Sequence, residues 1–446
     1  MRWLPAIVVA LTLFACGGEP PAREQAAGRA PNIVIILADD LGYGDLGVTG
    51  APDIHTPNLD LLAAEGVRFT HAYSNAPVCS PTRAALLSGM YQQRTGVDRV
   101  IYVSEREVGL DPKIRLLPSY LEEAGYVAGI FGKWHLGYPK ENFPTRFGFE
   151  AFTGFVAGNI DYFAHTDRLG NPDLWSGEEP ITDERYMTEL IAGEAKAFID
   201  RHLQRPFLLY LPFNAPHDPY QGPNDRESAG NQELTRQTNR TRAKFVEMVE
   251  SLDAQIGEVI AHLKKVGLYD QSAIFFMSDN GGLPVVARNA PFSGFKTELW
   301  EGGVRSTLIA RYPGHFLSGA TVDTPAIAMD LFATALDIAN APRPDRPVDG
   351  VSLLPVLEGT GVLPERPIFF RYQNPKGPVQ RAVVEGGWKY LKDPKEQEHL
   401  FHLAEDQAEQ HDLSAEHADK LEAMRAQWEA WEAEVTQGAP TLPTYP

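Results

Sequence analysis

The chain has 446 residues, of which 43% are hydrophobic and 10% aromatic, enough to bury one large core, alone or with a smaller one. Its formal charge of −19 argues against nucleic acid as a partner, because phosphate binding needs clustered lysine and arginine. An anionic substrate must therefore meet a local basic pocket inside a repelling field.

The N-terminal stretch has the proportions of a secretory signal. Residues 4–15 are apolar and follow Arg2, and small residues surround Cys16. The stretch is too short to cross a bilayer, which takes about 20 apolar residues. Residues 13–16, Leu-Phe-Ala-Cys, resemble the bacterial lipoprotein signal, whose cysteine is lipidated. The alternative is ordinary cleavage nearby, with Cys16 discarded.

These features predict an exported bacterial protein, either periplasmic or anchored in the outer membrane. We predict a signal peptide of the lipoprotein type over residues 1–16 and a flexible tether over residues 17–30. The protein would contact a membrane only through the N-terminal lipid. The second of the two cysteines, Cys79, then has no disulfide partner, so it needs another role.

Four short apolar runs, each bounded by turn or polar residues, predict strands buried on both faces. The runs are residues 32–38, 127–131, 207–213 and 273–277. Apolar residues at helical spacing predict helices over residues 56–65 and 243–265. The polar segment 221–242 predicts a loop or a mobile insertion. The alternation indicates an α/β fold with a mostly parallel central sheet between helices.

A proline-rich break over residues 340–347 separates this pattern from a different one. Beyond it, strand-like segments precede a charged helix predicted over residues 415–435. The strand-like segments are residues 368–372, 381–384 and 388–391. We therefore predict a large catalytic domain over residues 31–347 and a smaller C-terminal α+β domain with an antiparallel sheet over residues 348–446.

Polar tails follow all four apolar runs. They contain Asp39 and Asp40, Lys133 and His135, Asn214 and His217, and Asp279 and Asn280. Because ligand sites lie beyond the carboxyl ends of parallel strands, we expect these tails to meet at one edge of the sheet. The two acidic tails offer only oxygen ligands, which select calcium or magnesium over zinc. One acidic pair alone would more simply be a turn, but two such pairs favour a metal site.

Residues 79–89, Cys-Ser-Pro-Thr-Arg-Ala-Ala-Leu-Leu-Ser-Gly, predict a helix that begins at Cys79 and ends at Gly89. The free N–H groups at its start favour a developing anion beside Cys79. Arg83 lies one turn further on and can point toward the same place.

This stretch resembles the signature of the type I sulfatases, Cys-x-Pro-Ser/Thr-Arg with a Leu-x-Gly ending. Other blocks resemble the same family in the same order. These are residues 39–47, 56–60, 132–137, 215–217, 278–281, Lys296 before 300–303, 388–391 and 400–403. The chain is thus similar to arylsulfatases and to N-acetylgalactosamine-6-sulfatase-like carbohydrate sulfatases. The resemblance implies an alkaline-phosphatase-like catalytic domain.

The resemblance also implies the cofactors. A formylglycine-generating enzyme would convert Cys79 into 3-oxoalanine (formylglycine), which is hydrated to a geminal diol. One diol oxygen would attack sulfur and bind Ca²⁺, with Mg²⁺ as the alternative ion. The implied metal ligands are residue 79 together with Asp39, Asp40, Asp279 and Asn280.

The family likewise implies roles for five further residues. Arg83, Lys133 and Lys296 would neutralise the sulfate oxygens. His217, with Lys296, would stabilise or protonate the leaving alcohol, and His135 would take the proton of the second hydroxyl so that sulfate is released.

The expected activity is hydrolysis of a sulfate ester, on a sulfated carbohydrate or an aryl sulfate. Two alternatives are a phosphomonoester or phosphonate monoester hydrolase of the same superfamily, and a non-catalytic lipoprotein that binds sulfated glycan. Tyr162, His165 and Trp175 fall between catalytic blocks, and we predict that they contact the sugar. In the alternative interpretation, Tyr162 and Trp175 only anchor the loop.

Overall fold

The computed structural model describes residues 29–374 and 377–443. The predicted signal peptide with Cys16, and all but the last two residues of the predicted tether, lie outside the described residues, so export and lipidation stay predictions. The described residues from Pro31 onward form one compact unit. The boundary predicted between residues 347 and 348 also stays a prediction.

Strands and helices alternate along the first part of the chain. In order they are β1 (Asn32–Ala38), α1 (Pro57–Glu65), β2 (Val67–Tyr73), α2 (Cys79–Ser88), α3 (Gln92–Thr95), α4 (Leu117–Glu123), β3 (Val127–Lys133), β4 (Ala151–Phe155), β5 (Trp175–Ser176), β6 (Glu179–Pro180), α5 (Met187–Arg201), β7 (Phe207–Pro212), α6 (Gln232–Thr238), α7 (Arg242–Lys265) and β8 (Ser272–Ser278).

The remaining elements complete the large sheet and build a second one. They are α8 (Glu301–Val304), β9 (Arg305–Arg311), β10 (Ala320–Val322), β11 (Ala326–Ile327), α9 (Asp330–Ala339), α10 (Leu354–Leu357), β12 (Ile368–Gln373), β13 (Val379–Glu385), β14 (Trp388–Lys392), β15 (Glu398–His402) and α11 (Ala418–Thr436). None of the helices in the described residues is long and apolar enough to cross a membrane.

The large sheet has the strand order β10-β2-β9-β8-β1-β7-β3-β4-β5-β6, and β11 also pairs with β2. Its central strands β8, β1, β7 and β3 are mutually parallel. These four strands contain the four apolar runs, so the predicted parallel sheet is confirmed. In register, Ala38 of β1 lies beside Ser278 of β8, and Leu37 lies beside Pro212 of β7.

Both faces of the sheet are covered. Successive side chains of a strand point to opposite faces, and all seven residues of β1 are buried. Val34 and Ile36 belong to one core cluster with apolar residues of α1, α5 and α7. The apolar stripe of α7 includes Phe245, Leu252 and Val259, all buried. The helices therefore cover the faces of the parallel strands, whose spacing is set by the hydrogen bonds between them.

The C-terminal sheet is antiparallel in the order β12-β13-β14-β15. Helix α11 packs on it through Trp428 and Trp431, which are buried in one cluster with Phe370. That cluster also contains Val78 and Ala85, which flank or belong to α2. The smaller sheet therefore shares a hydrophobic core with the helix that begins at Cys79.

Two segments differ from the sequence prediction. The polar segment 221–242 contains the helix α6, because Gln232 and Thr235 bury one side of it. The charged C-terminal helix begins at Ala418, three residues later than predicted. Helix α2 begins at Cys79 and ends at a left-handed Gly89, as predicted. A Cβ at Gly89 would lie 2.4 Å from the ring of Phe332, so this helix end requires glycine.

Candidate active site

The four predicted tails meet at the carboxyl edge of the parallel strands. We call this edge the rim. It consists of Asp39, Asp40, Cys79, Arg83, Lys133, His135, His217, Asp279, Asn280 and Lys296, all of them buried. Asp39 and Asp279 directly follow the paired residues Ala38 and Ser278, so strand register brings the two acidic tails side by side. The structure therefore brings together all ten residues predicted to carry catalysis or hold metal.

Asp40 turns into the site through a left-handed backbone conformation, with φ of 65°. Aspartate tolerates this conformation better than most residues. The Asp40 N–H donates to Asp279 Oδ1 at 3.3 Å, which couples the two acidic tails. Asn280 Nδ2 in turn donates to Asp40 Oδ1 at 2.7 Å.

Cys79 lies between an acid and a cation. Its Sγ is 3.4 Å from Asp39 Oδ1 and 3.7 Å from Lys296 Nζ. Burial, together with the charge of Asp39, raises the pKa of the Cys79 thiol. An unmodified Cys79 is therefore a poor nucleophile, because the thiolate and not the thiol is the reactive form.

Each cation of the rim has a different carboxylate as its nearest partner. Arg83 donates to Asp279 Oδ2 from Nε at 3.0 Å and from Nη2 at 2.7 Å. Lys133 Nζ lies 2.6 Å from Asp39 Oδ2, and Lys296 Nζ lies 2.8 Å from Asp40 Oδ2. Burial alone would raise the pKa of Asp39, but the surrounding cations, led by Lys133, hold it below its usual range.

Three carboxylates and three cations balance within the rim. The protein alone is thus near neutral there, apart from the two histidines. A bound divalent cation would leave a net positive charge in a buried site. This excess would favour an anionic sulfate ester despite the acidic surface of the chain.

The two histidines each have one nitrogen fixed by a backbone carbonyl. His217 Nδ1 donates to Asp218 O at 2.7 Å, and its Nε2 lies 3.6 Å from Asp40 Oδ2. His135 Nε2 donates to Ile101 O at 3.0 Å. Because a carbonyl oxygen only accepts, each neutral ring keeps its other nitrogen as an acceptor. Burial lowers the pKa of both imidazoles, and Lys133 adds to this effect at His135.

His135 is aimed by the local backbone. Its φ is 57°, and a Cβ at Gly158 would lie 2.7 Å from the imidazole ring. Glycine at position 158 therefore leaves the space that the ring occupies. His135 Nδ1 is buried without a hydrogen-bond partner among the described residues, which suits a group that must accept a proton.

The acidic tails fit a hard divalent cation. Ligand atoms of Asp39, Asp40, Cys79 and His217 lie within 4.8 Å of one another. Asn280 Oδ1 is buried and has no hydrogen-bond partner among the described residues, so a metal ligand role would satisfy it. Carboxylate and amide oxygens are the donors that calcium and magnesium prefer.

A pocket of about 340 Å³ opens on the rim. Four predicted catalytic residues line it, namely Cys79, His135, His217 and Lys296. Arg83 and Lys133 are fully buried beside Asp279 and Asp39. Of the three predicted sulfate-binding cations, Lys296 therefore faces the pocket directly, while the other two support the acidic tails behind Cys79.

The predicted sugar contacts are not among the residues that line this pocket. Tyr162 is fully buried, and its hydroxyl donates to the carbonyl oxygens of Asn214 and His217 at 3.0 and 2.9 Å. His165 is buried, and Trp175 donates to Asp173 at 2.8 Å. The geometry favours the alternative for Tyr162 and Trp175, in which they anchor the loop, and the sugar contacts of all three residues stay a prediction.

Other residues line the wall of the pocket instead. They include Tyr102, Asn159, Arg168, Asp218, Arg236, Tyr372 and Asn374. Asp218 follows His217 directly in the sequence, so proximity to a predicted site residue could have identified it. Arg236 and Tyr372 gave no such signal, because they come from the polar segment 221–242 and from the C-terminal sheet.

Comparison with known proteins agrees with this site. The Sulfatase family model matches residues 31–341. N-acetylgalactosamine-6-sulfatase of Canis lupus familiaris is 36% identical over 392 residues, which cover 81% of this chain and 72% of the relative. Arylsulfatase A of Homo sapiens is 34% identical over 383 residues, covering 78% and 72%. The structure of Ps i-CgsB in complex with k-i-k-neocarrahexaose has a TM-score of 0.85 and 31% identity, covering 93% of this chain and 96% of that chain.

These matches extend across the large sheet and both of its acidic tails. The fold is that of the alkaline-phosphatase-like superfamily, with the additional antiparallel sheet at the C-terminus. The catalysed reaction is the hydrolysis of a sulfuric ester. This chain belongs to the sulfatase family.

Proposed function

We propose that this sulfatase removes sulfate from a carbohydrate by means of a formylglycine at position 79 and a bound calcium ion. The observation that carries the proposal is the position of Cys79, whose Sγ lies 3.4 Å from Asp39 Oδ1 and 3.7 Å from Lys296 Nζ at the wall of the pocket. Residue 79 thus lies between the acidic cluster and a cation that faces the substrate.

The carbohydrate substrate is supported by the relatives. Several are N-acetylgalactosamine-6-sulfatases, whose name specifies a sulfated sugar. Ps i-CgsB, at 31% identity, has been solved with k-i-k-neocarrahexaose, an oligosaccharide. A pocket of about 340 Å³ with polar walls is large enough for a sugar ring carrying a sulfate group.

Conversion of Cys79 replaces the thiol by an aldehyde whose hydrate supplies an oxygen nucleophile and a second hydroxyl that drives sulfate release. The start of α2 suits this group. Cys79 is the first residue of the helix, so unpaired N–H groups there stabilise negative charge near residue 79. The raised pKa of the thiol argues that the unmodified cysteine is not the nucleophile.

Lys296 holds the sulfate group of the substrate against residue 79. It lines the pocket and, as an ammonium, can donate several hydrogen bonds. Burial opposes its charge, but Asp40 raises the pKa of Lys296, so it stays protonated. Arg83 and Lys133 orient Asp279 and Asp39 and add positive charge behind residue 79.

His217 and His135 move the protons. His217 Nε2 faces Asp40 in the wall of the pocket, and the charge of Asp40 favours the protonated ring, which can give its Nε2 proton to the leaving alcohol. His135 Nδ1 is free to accept, because Ile101 O fixes the opposite nitrogen as the donor. It is therefore placed to remove the proton of the second hydroxyl of residue 79.

Calcium would be held by oxygens of Asp39, Asp40, Asp279 and Asn280, with residue 79 as a further ligand. When bound, the ion would supply Lewis acidity and add positive charge to the rim. The unpaired Asn280 Oδ1 supports this ligand set. Hard oxygen donors also accept magnesium, and the number of ligands favours the larger ion.

Peptide mass spectrometry and a sulfate-release assay test the proposal together. The protein is produced with a formylglycine-generating enzyme, and the peptide with residue 79 should carry an aldehyde in place of the thiol. Sulfate release from a sulfated sugar should fall at least tenfold on chelation and return with calcium. An unaltered thiol in fully active enzyme, or a preference of orders of magnitude for phosphate monoesters, would refute the proposal.

A further inference from the structure

Two arginines share one carboxylate on the wall of the active-site pocket. Arg168 Nη2 donates to Asp218 Oδ2 at 2.9 Å, and Arg236 Nε lies 3.0 Å from the same oxygen. All three residues line the pocket with Cys79, His217 and Lys296. This arginine pair is outside the predicted catalytic machinery and has no role in the chemistry described above.

Hydrogen bonds between two segments of the fold hold the arginine pair in place. Arg168 lies in the segment between β4 and β5, and Arg236 lies in α6. The two segments are tied together because Gln232 Nε2 donates to Asp167 O at 2.9 Å. Gly230 N also donates to Asp161 Oδ2 at 2.9 Å. Two separate parts of the chain are therefore held together at the point where the guanidinium groups meet.

The arginine pair lies beside the group that acts on the leaving alcohol. Asp218 Oδ1 is 3.3 Å from His217 Nδ1, and the two residues are adjacent in sequence. Because His217 is assigned to the leaving oxygen, the arginines face the alcohol part of the substrate. The sulfate group that is cleaved lies instead toward Cys79 and Lys296.

The pair carries more donors than its own carboxylate uses. The Arg168 side chain is 43% exposed and that of Arg236 is 37% exposed, whereas that of Asp218 is 10% exposed. Among the described residues, Arg168 donates only from Nη2, which leaves Nε and Nη1 for a ligand. Arg236 also pairs with Glu233, whose side chain is 70% exposed, and such an exposed pair is weak.

One arginine would suffice to neutralise Asp218. The second guanidinium, that of Arg236, has only the exposed Glu233 as a further partner, so it is weakly paired at the pocket of a protein with a net charge of −19. Planar guanidinium groups bind sulfate and carboxylate groups through paired hydrogen bonds. In a strongly acidic protein, weakly paired guanidinium groups at the pocket offset the repulsion that an anionic substrate meets.

We infer that Arg168, together with Arg236, binds a second anionic group on the alcohol part of the substrate, a sulfate ester or a carboxylate. The preferred substrate is then a sugar or oligosaccharide with at least two negative charges, of which the enzyme removes one sulfate per turnover. This inference rests on the proposed function and specifies its substrate class.

The test compares sugars that differ by one anionic group. Sulfate release is measured with 4-nitrophenyl sulfate and with singly sulfated galactose and N-acetylgalactosamine. It is also measured with the disulfated sugars and with disaccharides in which a uronate adjoins the singly sulfated residue. The wild-type enzyme should favour a doubly anionic sugar by about tenfold or more in kcat/KM, as expected for a charge-assisted hydrogen bond. Comparison of the disulfated sugars with the uronate-containing disaccharides identifies whether the second bound anion is a sulfate or a carboxylate.

Arg168→Gln should remove most of that preference, mainly through KM, and Arg168→Lys should restore part of it. Arg240→Gln is the matched control, because it removes the same charge from a residue just after α6, the helix that carries Arg236. Arg240 donates to Pro284 O at 3.4 Å, is exposed and is not among the residues that line the pocket. Its preference ratio should equal that of the wild type.

Binding gives a second readout that does not depend on turnover. The Cys79→Ala variant, which has no nucleophile at residue 79, should bind a disulfated sugar about tenfold more tightly than its singly sulfated counterpart, and Arg168→Gln in that background should abolish the difference. Equal binding and equal kcat/KM for singly and doubly anionic sugars would overturn the inference. The proposed function would still stand in that case, whereas it fails if sulfate is released from no sugar at all.

Discussion

This protein contains two buried clusters of charged residues, and the two clusters have different roles. The rim lies at the open carboxyl edge of the large sheet. The second cluster, the inter-sheet network, lies between the two sheets and consists of Tyr73, Glu301, Arg305, Lys389 and Glu409. In the network, Lys389 Nζ is 2.9 Å from Glu301 Oε1 and 2.8 Å from Glu409 Oε1. Both clusters balance acids against cations, so burial and charge alone do not distinguish a catalytic site.

The surroundings of the two clusters distinguish them. Four residues of the rim, Cys79, His135, His217 and Lys296, line a pocket. Tyr73 of the network instead belongs to the apolar cluster shared by α2 and the C-terminal sheet. Its hydroxyl donates to Glu301 Oε2 at 3.1 Å. The rim is therefore arranged to receive a ligand, and the network to join two sheets.

The C-terminal sheet also supports the segment that carries Lys296. Gln380 of β13 donates to Thr297 O at 2.9 Å and accepts from Leu299 N at 3.0 Å. Thr297 has φ of 77°, a conformation that a threonine rarely adopts without such support. The smaller sheet thus holds a pocket residue in place, which connects the two clusters.

The largest effect should come from the rim. Cys79→Ala removes the residue that we propose as the precursor of the nucleophile, and it should lower kcat by about 10⁴-fold or more. Chemical denaturation should show a stability close to that of the wild type, because only one small side chain changes. Activity above one tenth of the wild type would contradict the assignment.

His217→Gln should lower kcat by about 10² to 10⁴-fold on sulfated sugars. The loss should be smaller on 4-nitrophenyl sulfate, because the nitrophenolate leaves without a proton. His262→Gln serves as the control, since His262 lies on α7 and pairs with Asp200 away from the rim. Equal losses on sugar and aryl substrates would mean that His217 does not act on the leaving oxygen.

Lys389→Met should lower the free energy of unfolding by about 3 to 5 kcal/mol, because Glu301 and Glu409 would lose a buried cation. The effect on kcat should be far smaller than that of Cys79→Ala. Urea denaturation measures the first effect and sulfate release the second. Lys395→Met, an exposed lysine, is the control. An unchanged stability would show that the network does not hold the sheets together.

The smallest expected effect is a pH dependence at Glu409. Burial, opposed by Lys389 and reinforced by Glu301, raises the pKa of Glu409 to about 7 from 4.5. With the folded pKa above the unfolded one, its contribution to stability is complete below pH 4.5 and declines as the pH rises through 7.

Glu409→Gln should remove that decline, since glutamine does not titrate. Relative to the wild type, the variant should gain on the order of 2 kcal/mol of unfolding free energy between pH 5 and pH 8. The measurement is urea denaturation of both proteins at several pH values. If the unfolding free energies of the two proteins changed with pH in parallel, a group other than Glu409 would be responsible for the titration.

The residues of the rim could be predicted from the sequence, because each part of the rim follows a recognisable local pattern. A run of apolar residues predicts a buried strand, and parallel pairing then brings the residues after each strand to one edge. Asp39 and Asp279 meet for this reason, although they are 240 positions apart. The start of α2 at Cys79 also followed from local chemistry, since serine, proline and a terminal glycine specify the ends of a helix.

The residues of the pocket wall could not be predicted from the sequence in the same way. Tyr162 looked like a sugar contact because of its place between catalytic blocks, but its hydroxyl holds the backbone at His217. Arg168 and Arg236 meet only because two loops fold against each other. The local sequence does not specify which surface the side chain of a loop residue will face.

The amino-acid sequence by itself therefore determined the parallel sheet, the helix that begins at Cys79 and the acidic tails of this sulfatase, because strand burial and helix ends depend on nearby residues. Only the tertiary structure decided that Arg168 and Arg236 share Asp218, and that the C-terminal sheet supports Lys296. These contacts join segments distant in sequence, and their free energy comes from packing that exists only once the chain has folded.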